Sequence, residues 1–315
     1  MSARATFGYA TTAEEVSEGI DLRGQRAIVT GASGGLGAET ARVLAMRGAA
    51  VTLAARDLAK TQRVVDAIQR ETPDAALEIL ELELSRPDRV RAAVQRWLGQ
   101  HETLDLLINN AGVMACPLTR TAEGWEMQFA TNHLGHFLLT NGLKAALASS
   151  GRARVVSLTS GGHRGSDVVF DDIHFERRPY EKWSGYGQGK TANILFAVEL
   201  DRRWRSLGIR ANAVHPGAIE TDLNRHLTEA DMTALLKQIP GGKMKHKTLG
   251  AGAATSVWAA TAPELAEEGG HYLEDCHIAA VQEGGIRGVE AYALDATSAA
   301  RLWQVSEEHL GERFE

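Results

Sequence analysis

From Gln25 onward, short β-branched or apolar runs alternate with longer stretches in which apolar residues recur at helical spacing. This is the signature of parallel strands joined by crossover helices. The strand runs are Ala27–Thr30, Ala50–Ala54, Ile79–Leu82, Leu104–Asn109, Arg154–Thr159, Arg210–Val214 and a late one at Ile278–Val281. Several are apolar throughout rather than alternating, as strands covered on both faces are. Seven such runs with helices between them, and no linker rich in Gly, Pro or Ser, predict an α/β fold. The expected architecture is a single doubly wound Rossmann-type domain with a seven-stranded parallel sheet and helices on both faces.

Two stretches lie outside that rhythm. Residues 1–22 form a leader in which Thr12 and Glu15 have capping-box spacing, predicting a short helix before the first strand. Residues 161–185 carry Asp171, Asp172, Phe175, Pro179 and Trp183 with no clear period. A long connection at the carboxyl end of a strand is where an open α/β sheet places its ligands. The domain then runs over 23–315, including a substrate lid at about 218–248 and a C-terminal extension.

Composition narrows the class. The chain has 315 residues, 44% hydrophobic and 23% charged, with 32 Gly, 7 Pro, 2 Cys and a formal net charge of −6, which excludes collagen-like, disulfide-stapled and disordered proteins. Mean hydropathy is −0.20, and no apolar run approaches the ~18 residues a membrane helix needs. Met1, Ser2, Ala3 and Arg4 lead into polar and acidic residues, not a signal peptide's apolar stretch, so the expected compartment is the cytoplasm. Cys116 and Cys276 fit no ligand spacing and read as reduced thiols. A pI of about 6.0 argues against nucleic acid as partner. The one compact basic stretch, Lys243, Lys245 and Lys247, reads as a solvated loop.

Directly after the first strand stands Thr30-Gly31-Ala32-Ser33-Gly34-Gly35-Leu36-Gly37, followed by the helical stretch Ala38–Met46. Glycines permit a tight turn and let backbone N–H groups approach a pyrophosphate, to which the helix N-terminus adds partial positive charge. Spacing alone allows either Gly31, Gly35 and Gly37 or Gly31, Gly34 and Gly37 as the working set. The second strand ends Ala54-Ala55-Arg56-Asp57. Arg56 sits where an NAD site would hold a carboxylate for the ribose 2′-hydroxyl, and a guanidinium there prefers a 2′-phosphate. The alternative is an exposed Arg56 with Asp57 taking the ribose one residue later. The first reading makes the cofactor NADP.

Further along come Asn109-Asn110-Ala111-Gly112, Asn132, Ser160 and the pair Tyr186 and Lys190. A tyrosine near pKa ~10 is a poor proton donor and a worse base at neutral pH, but a nearby cation stabilises the phenolate. Positions 186 and 190 are i and i+4 and share a helix face. His133 and His136 are i, i+3 without a Glu or third ligand at usable spacing, so no metal is expected and both read as helix packing. Glycines at 185, 187 and 189 loosen the start of the helix bearing the pair, at up to ~1 kcal/mol each.

The glycine loop, Asn109–Gly112, the Tyr186/Lys190 spacing and His215-Pro216-Gly217 with Thr221 together resemble the short-chain dehydrogenase/reductase superfamily. Thr131–Phe137 (TNHLGHF), Lys190–Phe196 (KTANILF), Tyr272–Cys276 (YLEDC) and Ala300–Glu307 (ARLWQVSE) are similar to its retinol-dehydrogenase-like and WW-domain-oxidoreductase-like branch. The likeness covers about residues 23 to 310.

The resemblance settles the glycine set on Gly31, Gly35 and Gly37, and implies roles for the rest. Tyr186 would transfer the proton, and Lys190 would assist it and bind the ribose. Ser160 would hold the substrate oxygen, with Thr159 as the neighbouring candidate. Asn132 would hold a water linking Lys190 to solvent. Ser33, Leu36, Asn110, Ala111, Gly112, Pro216, Gly217 and Thr221 would line the cofactor. Glu83 replaces the family's usual aspartate near the adenine. Subunits of the family often pair through the helices flanking the sheet, which the polar C-terminal extension could obstruct. Met114, Phe170 and Trp183 are candidate walls of an apolar pocket, closed by a lid carrying Leu223, His226, Met232, Leu235, Leu236 and Met244. The substrate is then a hydrophobic ketone, aldehyde or alcohol. Reduction of an activated C=C bond and NADP sensing without turnover are the alternatives.

Overall fold

The computed structural model describes residues 7–238 and 243–314, with the backbone alone for 234–238. Eight strands form one sheet: β1 (Arg26–Thr30), β2 (Ala50–Ala55), β3 (Leu77–Glu81), β4 (Leu106–Asn109), β5 (Arg154–Leu158), β6 (Arg210–His215), β7 (Tyr272–Glu274) and β8 (His277–Ile278). Their order is β3-β2-β1-β4-β5-β6-β7-β8. All pairings are parallel except β7 with β8.

The helices are α1 (Ala13–Val16), α2 (Gly35–Met46), α3 (Leu58–Glu71), α4 (Pro87–Leu98), α5 (Met127–Phe129), α6 (Gly135–Gly142), α7 (Lys144–Ser150), α8 (Lys182–Trp204), α9 (Glu229–Gln238), α10 (Leu249–Thr261) and α11 (Ala296–Leu310). Strand residues alternate between two cores. Ile28 and Leu107 face a layer built from α4, α6, α7 and α8, while Ala27, Val29 and Ile108 face α2, α3 and α10. Burial on both faces explains the unbroken apolar runs. A third cluster seats Ala299 and Leu302 of α11 with Leu195 of α8 and Phe129.

The predicted leader helix is α1. Thr12 caps it through the Glu15 amide, the Glu15 carboxylate accepts from the Thr12 amide, and α1 rests on α10. The last parallel strand departs from expectation. It is Tyr272–Glu274, fully buried, not Ile278–Val281, whose Ile278 and Val281 are 46% and 56% exposed. Asp275 and Cys276 turn the chain with φ of +47° and +60°, so the apolar run after them returns antiparallel at the sheet edge.

Lys247 is not part of a solvated loop. Its ammonium is buried and pairs with Asp275 at 2.6 Å, which anchors the end of the lid segment beside β7. The glycines opening α8 serve close packing, because α8 is continuous from Lys182 and a Cβ at Gly187 would lie 2.8 Å from the Gly162 carbonyl oxygen. Among the described residues no helix is long and apolar enough to cross a membrane, and no cluster of ligating side chains could hold a metal ion.

Candidate active site

Strand order reverses between β1 and β4, and a cleft of about 1410 Å³ opens at the carboxyl ends of the strands there. One bank is the glycine loop. Gly31 has φ +68°, and a Cβ on it would lie 2.9 Å from Ala111 Cα; one on Gly37 would lie 2.5 Å from the Gly31 carbonyl oxygen. Loop, helix and the Asn110 segment therefore touch backbone to backbone. The N-cap of α2 is Gly34, which offers no side chain to the first N–H groups. Those amides are left for an anion in the cleft.

Thr30 organises this bank. Its hydroxyl accepts from the amides of Asn110 and Ala111, both at 2.9 Å, and the Asn110 side chain donates to the Thr30 carbonyl at 2.7 Å. His136 joins them. Its Nδ1 donates to the Asn132 carbonyl, so Nε2 accepts from Thr30 Oγ1 at 2.9 Å. Burial holds the ring neutral, with a pKa near 4.

At the tip of β2, Arg56 faces the cleft with its side chain 65% exposed and Nη1 3.3 Å from the Glu83 carboxylate. Asp57 is engaged elsewhere, capping α3 by accepting from the Lys60 amide at 2.8 Å. Lys60 is a residue the sequence reading missed. It lines the cleft, its Nζ 3.5 Å from where a Gly34 Cβ would stand, and it pairs with Asp222 on the opposite bank. Its one sequence signal was its place in the first turn of the helix after Arg56.

The inner end gathers the other candidates. Lys190 and Tyr186 stand on one face of α8, with the ammonium 5.7 Å from the ring centroid. Lys190 Nζ donates to the Leu158 carbonyl at 3.0 Å. Thr159 donates its hydroxyl to the Lys190 carbonyl at 2.8 Å and is thereby committed to α8. Ser160 Oγ accepts from the Gly162 amide at 3.0 Å and meets the Tyr186 phenol. Burial pushes that phenol up to about 12, which the Ser160 hydroxyl only partly offsets. The expectation that Lys190 lowers it is not met in the protein alone, because the dominant effect is desolvation. The same burial pulls Lys190 down to about 8.

Asn132 is held through its own side chain. It sits in a π-turn at Ala130–Leu134, and its amide exchanges two hydrogen bonds with the Val113 backbone, at 2.8 and 2.9 Å. The side chain braces the segment after Gly112, and its oxygen and the Lys190 ammonium both border Gly112.

Ser33, Gly35, Leu36, Pro216, Gly217 and Thr221 line the cleft. Met114, Trp183, Leu223, Met232 and Met244 form its apolar side. Phe170 does not, since it lies under Arg301 at 4.5 Å, and Leu235 and Leu236 fall outside the described side chains. The segment after β6 is tied to both banks, by Asp222 to Lys60 and by Asp231 to Lys182 of α8 at 2.5 Å.

A doubly wound sheet with a glycine-loop anion site at one end of a cleft and a Ser, Tyr and Lys cluster at the other defines a nicotinamide-dependent oxidoreductase acting on small molecules. The chain belongs to the short-chain dehydrogenase/reductase family, whose short chain dehydrogenase model matches residues 25–232. It is 45% identical over 295 residues to a probable oxidoreductase of Streptomyces lividans, covering 90% of this chain and 97% of that protein. It is 38% identical over 296 residues to human retinol dehydrogenase 12, covering 94% and 89%. A crystal structure of an uncharacterized protein from Mycobacterium paratuberculosis superposes with a TM-score of 0.72 at 33% identity, covering 98% and 99%.

Proposed function

We propose that this protein is an NADP(H)-dependent oxidoreductase that interconverts a hydrophobic ketone or aldehyde and its alcohol, with Tyr186 as general acid and base. The observation that carries the reading is the grouping of Ser160 and the buried Tyr186 beside Gly162, one helical turn from the Lys190 ammonium, at the inner end of a cleft whose outer end holds the glycine loop and Arg56.

The residues present fit the cofactor. The uncapped start of α2 suits the pyrophosphate, and Arg56 with Lys60 supplies two cations for a 2′-phosphate. Asp57, the residue that would favour NAD, is used as a helix cap. When bound, the nicotinamide supplies or accepts the hydride. Ser160 donates a hydrogen bond to the substrate oxygen and holds it beside Tyr186. Tyr186 gives its phenolic proton to that oxygen as the carbonyl becomes an alkoxide. Lys190, fixed by the Leu158 carbonyl, stabilises the phenolate left behind and hydrogen-bonds the ribose. Burial keeps the Tyr186 phenol protonated at neutral pH, so it can serve as the proton donor to the substrate oxygen. Met114, Trp183, Leu223, Met232 and Met244 give the substrate an apolar wall.

Tyr186→Phe removes the proton and leaves the cleft's shape. It should lower kcat by about 10²–10⁴-fold while NADPH binds normally. Retention of more than a small fraction of turnover would refute the assignment. Product analysis on an enone separates alcohol formation from C=C reduction.

A further inference from the structure

His163 is fully buried beneath the loop that carries Ser160, and its two ring nitrogens are both engaged. Nε2 faces the Glu290 backbone amide at 3.2 Å. An amide N–H can only donate, so Nε2 accepts and the hydrogen of the neutral ring sits on Nδ1. Nδ1 then donates to the Ser160 carbonyl at 2.8 Å. The same carbonyl accepts the His163 backbone N–H at 3.1 Å. Two donors on one oxygen hold the peptide plane that follows Ser160, and with it the Gly162 amide that grips Ser160 Oγ.

Late parts of the chain also hold the segment around His163. Tyr292 donates its hydroxyl to the His163 carbonyl at 2.7 Å, Arg164 donates to the Gly288 carbonyl at 2.5 Å, and the Tyr272 ring of β7 lies 5.1 Å from the imidazole. On the α8 side, the Thr191 hydroxyl donates to the Ser166 carbonyl at 2.7 Å, with the His163 carbonyl 3.2 Å away.

We propose that His163 is a positioning residue for Ser160. Its Nδ1-protonated imidazole clamps the Ser160 carbonyl to the backbone of segment 288–292, so that residues after the lid set the orientation of the hydroxyl facing Tyr186. The clamp itself is a property of the fold; its effect on turnover rests on the oxidoreductase reading above.

The test compares His163→Leu, which fills the volume without hydrogen bonds, with His163→Gln, whose amide can donate to Ser160 and accept from Glu290. Amide hydrogen exchange of residues 160–166 is measured in the ligand-free protein, alongside kcat, KM and the Kd of NADPH. His163→Leu should raise exchange in that loop and lower kcat by about 10- to 100-fold, with the Kd of NADPH within about twofold of the parent. His163→Gln should keep both exchange and kcat close to the parent. Unchanged exchange in His163→Leu, raised exchange without loss of kcat, or equal damage in both variants each overturns the proposal. A parent protein that turns over no carbonyl in a substrate panel would overturn the oxidoreductase reading alone, because the exchange comparison still decides the clamp.

Discussion

Arg56 offers the sharpest measurement of cofactor choice. Its side chain is 65% exposed and, among the described residues, pairs with Glu83 at 3.3 Å, whose side chain is 36% exposed. Such a pair contributes little, about 0.2–1 kcal/mol, so a phosphate can displace the carboxylate at small cost. A hydrogen bond to a charged group contributes about 1.5–3 kcal/mol, and an exposed one belongs at the lower end. Arg56→Ala should therefore weaken NADPH by about 10- to 30-fold and NADH by less than about twofold. Lys60 remains to hold part of the phosphate affinity. Glu83→Gln removes the competitor and should tighten NADPH by up to about fivefold, an effect that disappears when Arg56 is already alanine. The assay is titration of nicotinamide fluorescence at fixed ionic strength, because these charges are screened. Equal losses for the two cofactors in Arg56→Ala, or weaker NADPH binding in Glu83→Gln, would refute the reasoning.

Thr30→Val keeps the shape of a fully buried residue but strands the amides of Asn110 and Ala111, so unfolding free energy by denaturant titration should fall by about 1–3 kcal/mol. Lys247→Met takes the buried ammonium from Asp275, which keeps Arg287 at 3.7 Å, and the loss should be about 1.5–3 kcal/mol; a variant as stable as the parent would show that the pair is dispensable. Acid should destabilise the fold. Burial depresses His133 and His215 to about 3 and His136, His163 and His174 to about 4. The stability held by these neutral rings is present above their unfolded value near 6.5 and is lost as pH falls through their folded values. Tm should thus drop between pH 6.5 and 4, with net proton uptake on unfolding; a flat profile would contradict it.

Most of the fold was legible because strands covered on both faces are largely apolar, as β1, β2 and β4 are. β7 was not, since Tyr272–Glu274 is three residues long and ends in a carboxylate, while the neighbouring Ile278–Val281 run is more apolar but exposed. The glycine loop and the Tyr186/Lys190 pair follow local rules of backbone approach and helical spacing, so sequence suffices to place them. Contacts between distant segments follow no local rule. The partners of Lys247, Lys60 and His163, namely Asp275, Asp222 and Glu290, become neighbours only after the sheet is assembled. Asn132 shows the remaining limit, since its residue type marked a site but not that its side chain would grip the Val113 backbone.

The strand order has a consequence for synthesis. β1 to β4 come from the first 109 residues and already occupy four adjacent places in the sheet, so the dinucleotide half can form while translation continues. Each later strand is added at one edge, and the serine loop gains its last supports only when Gly288–Tyr292 has left the ribosome. A nascent chain would thus build its glycine loop and the tip of β2 well before the serine loop is supported.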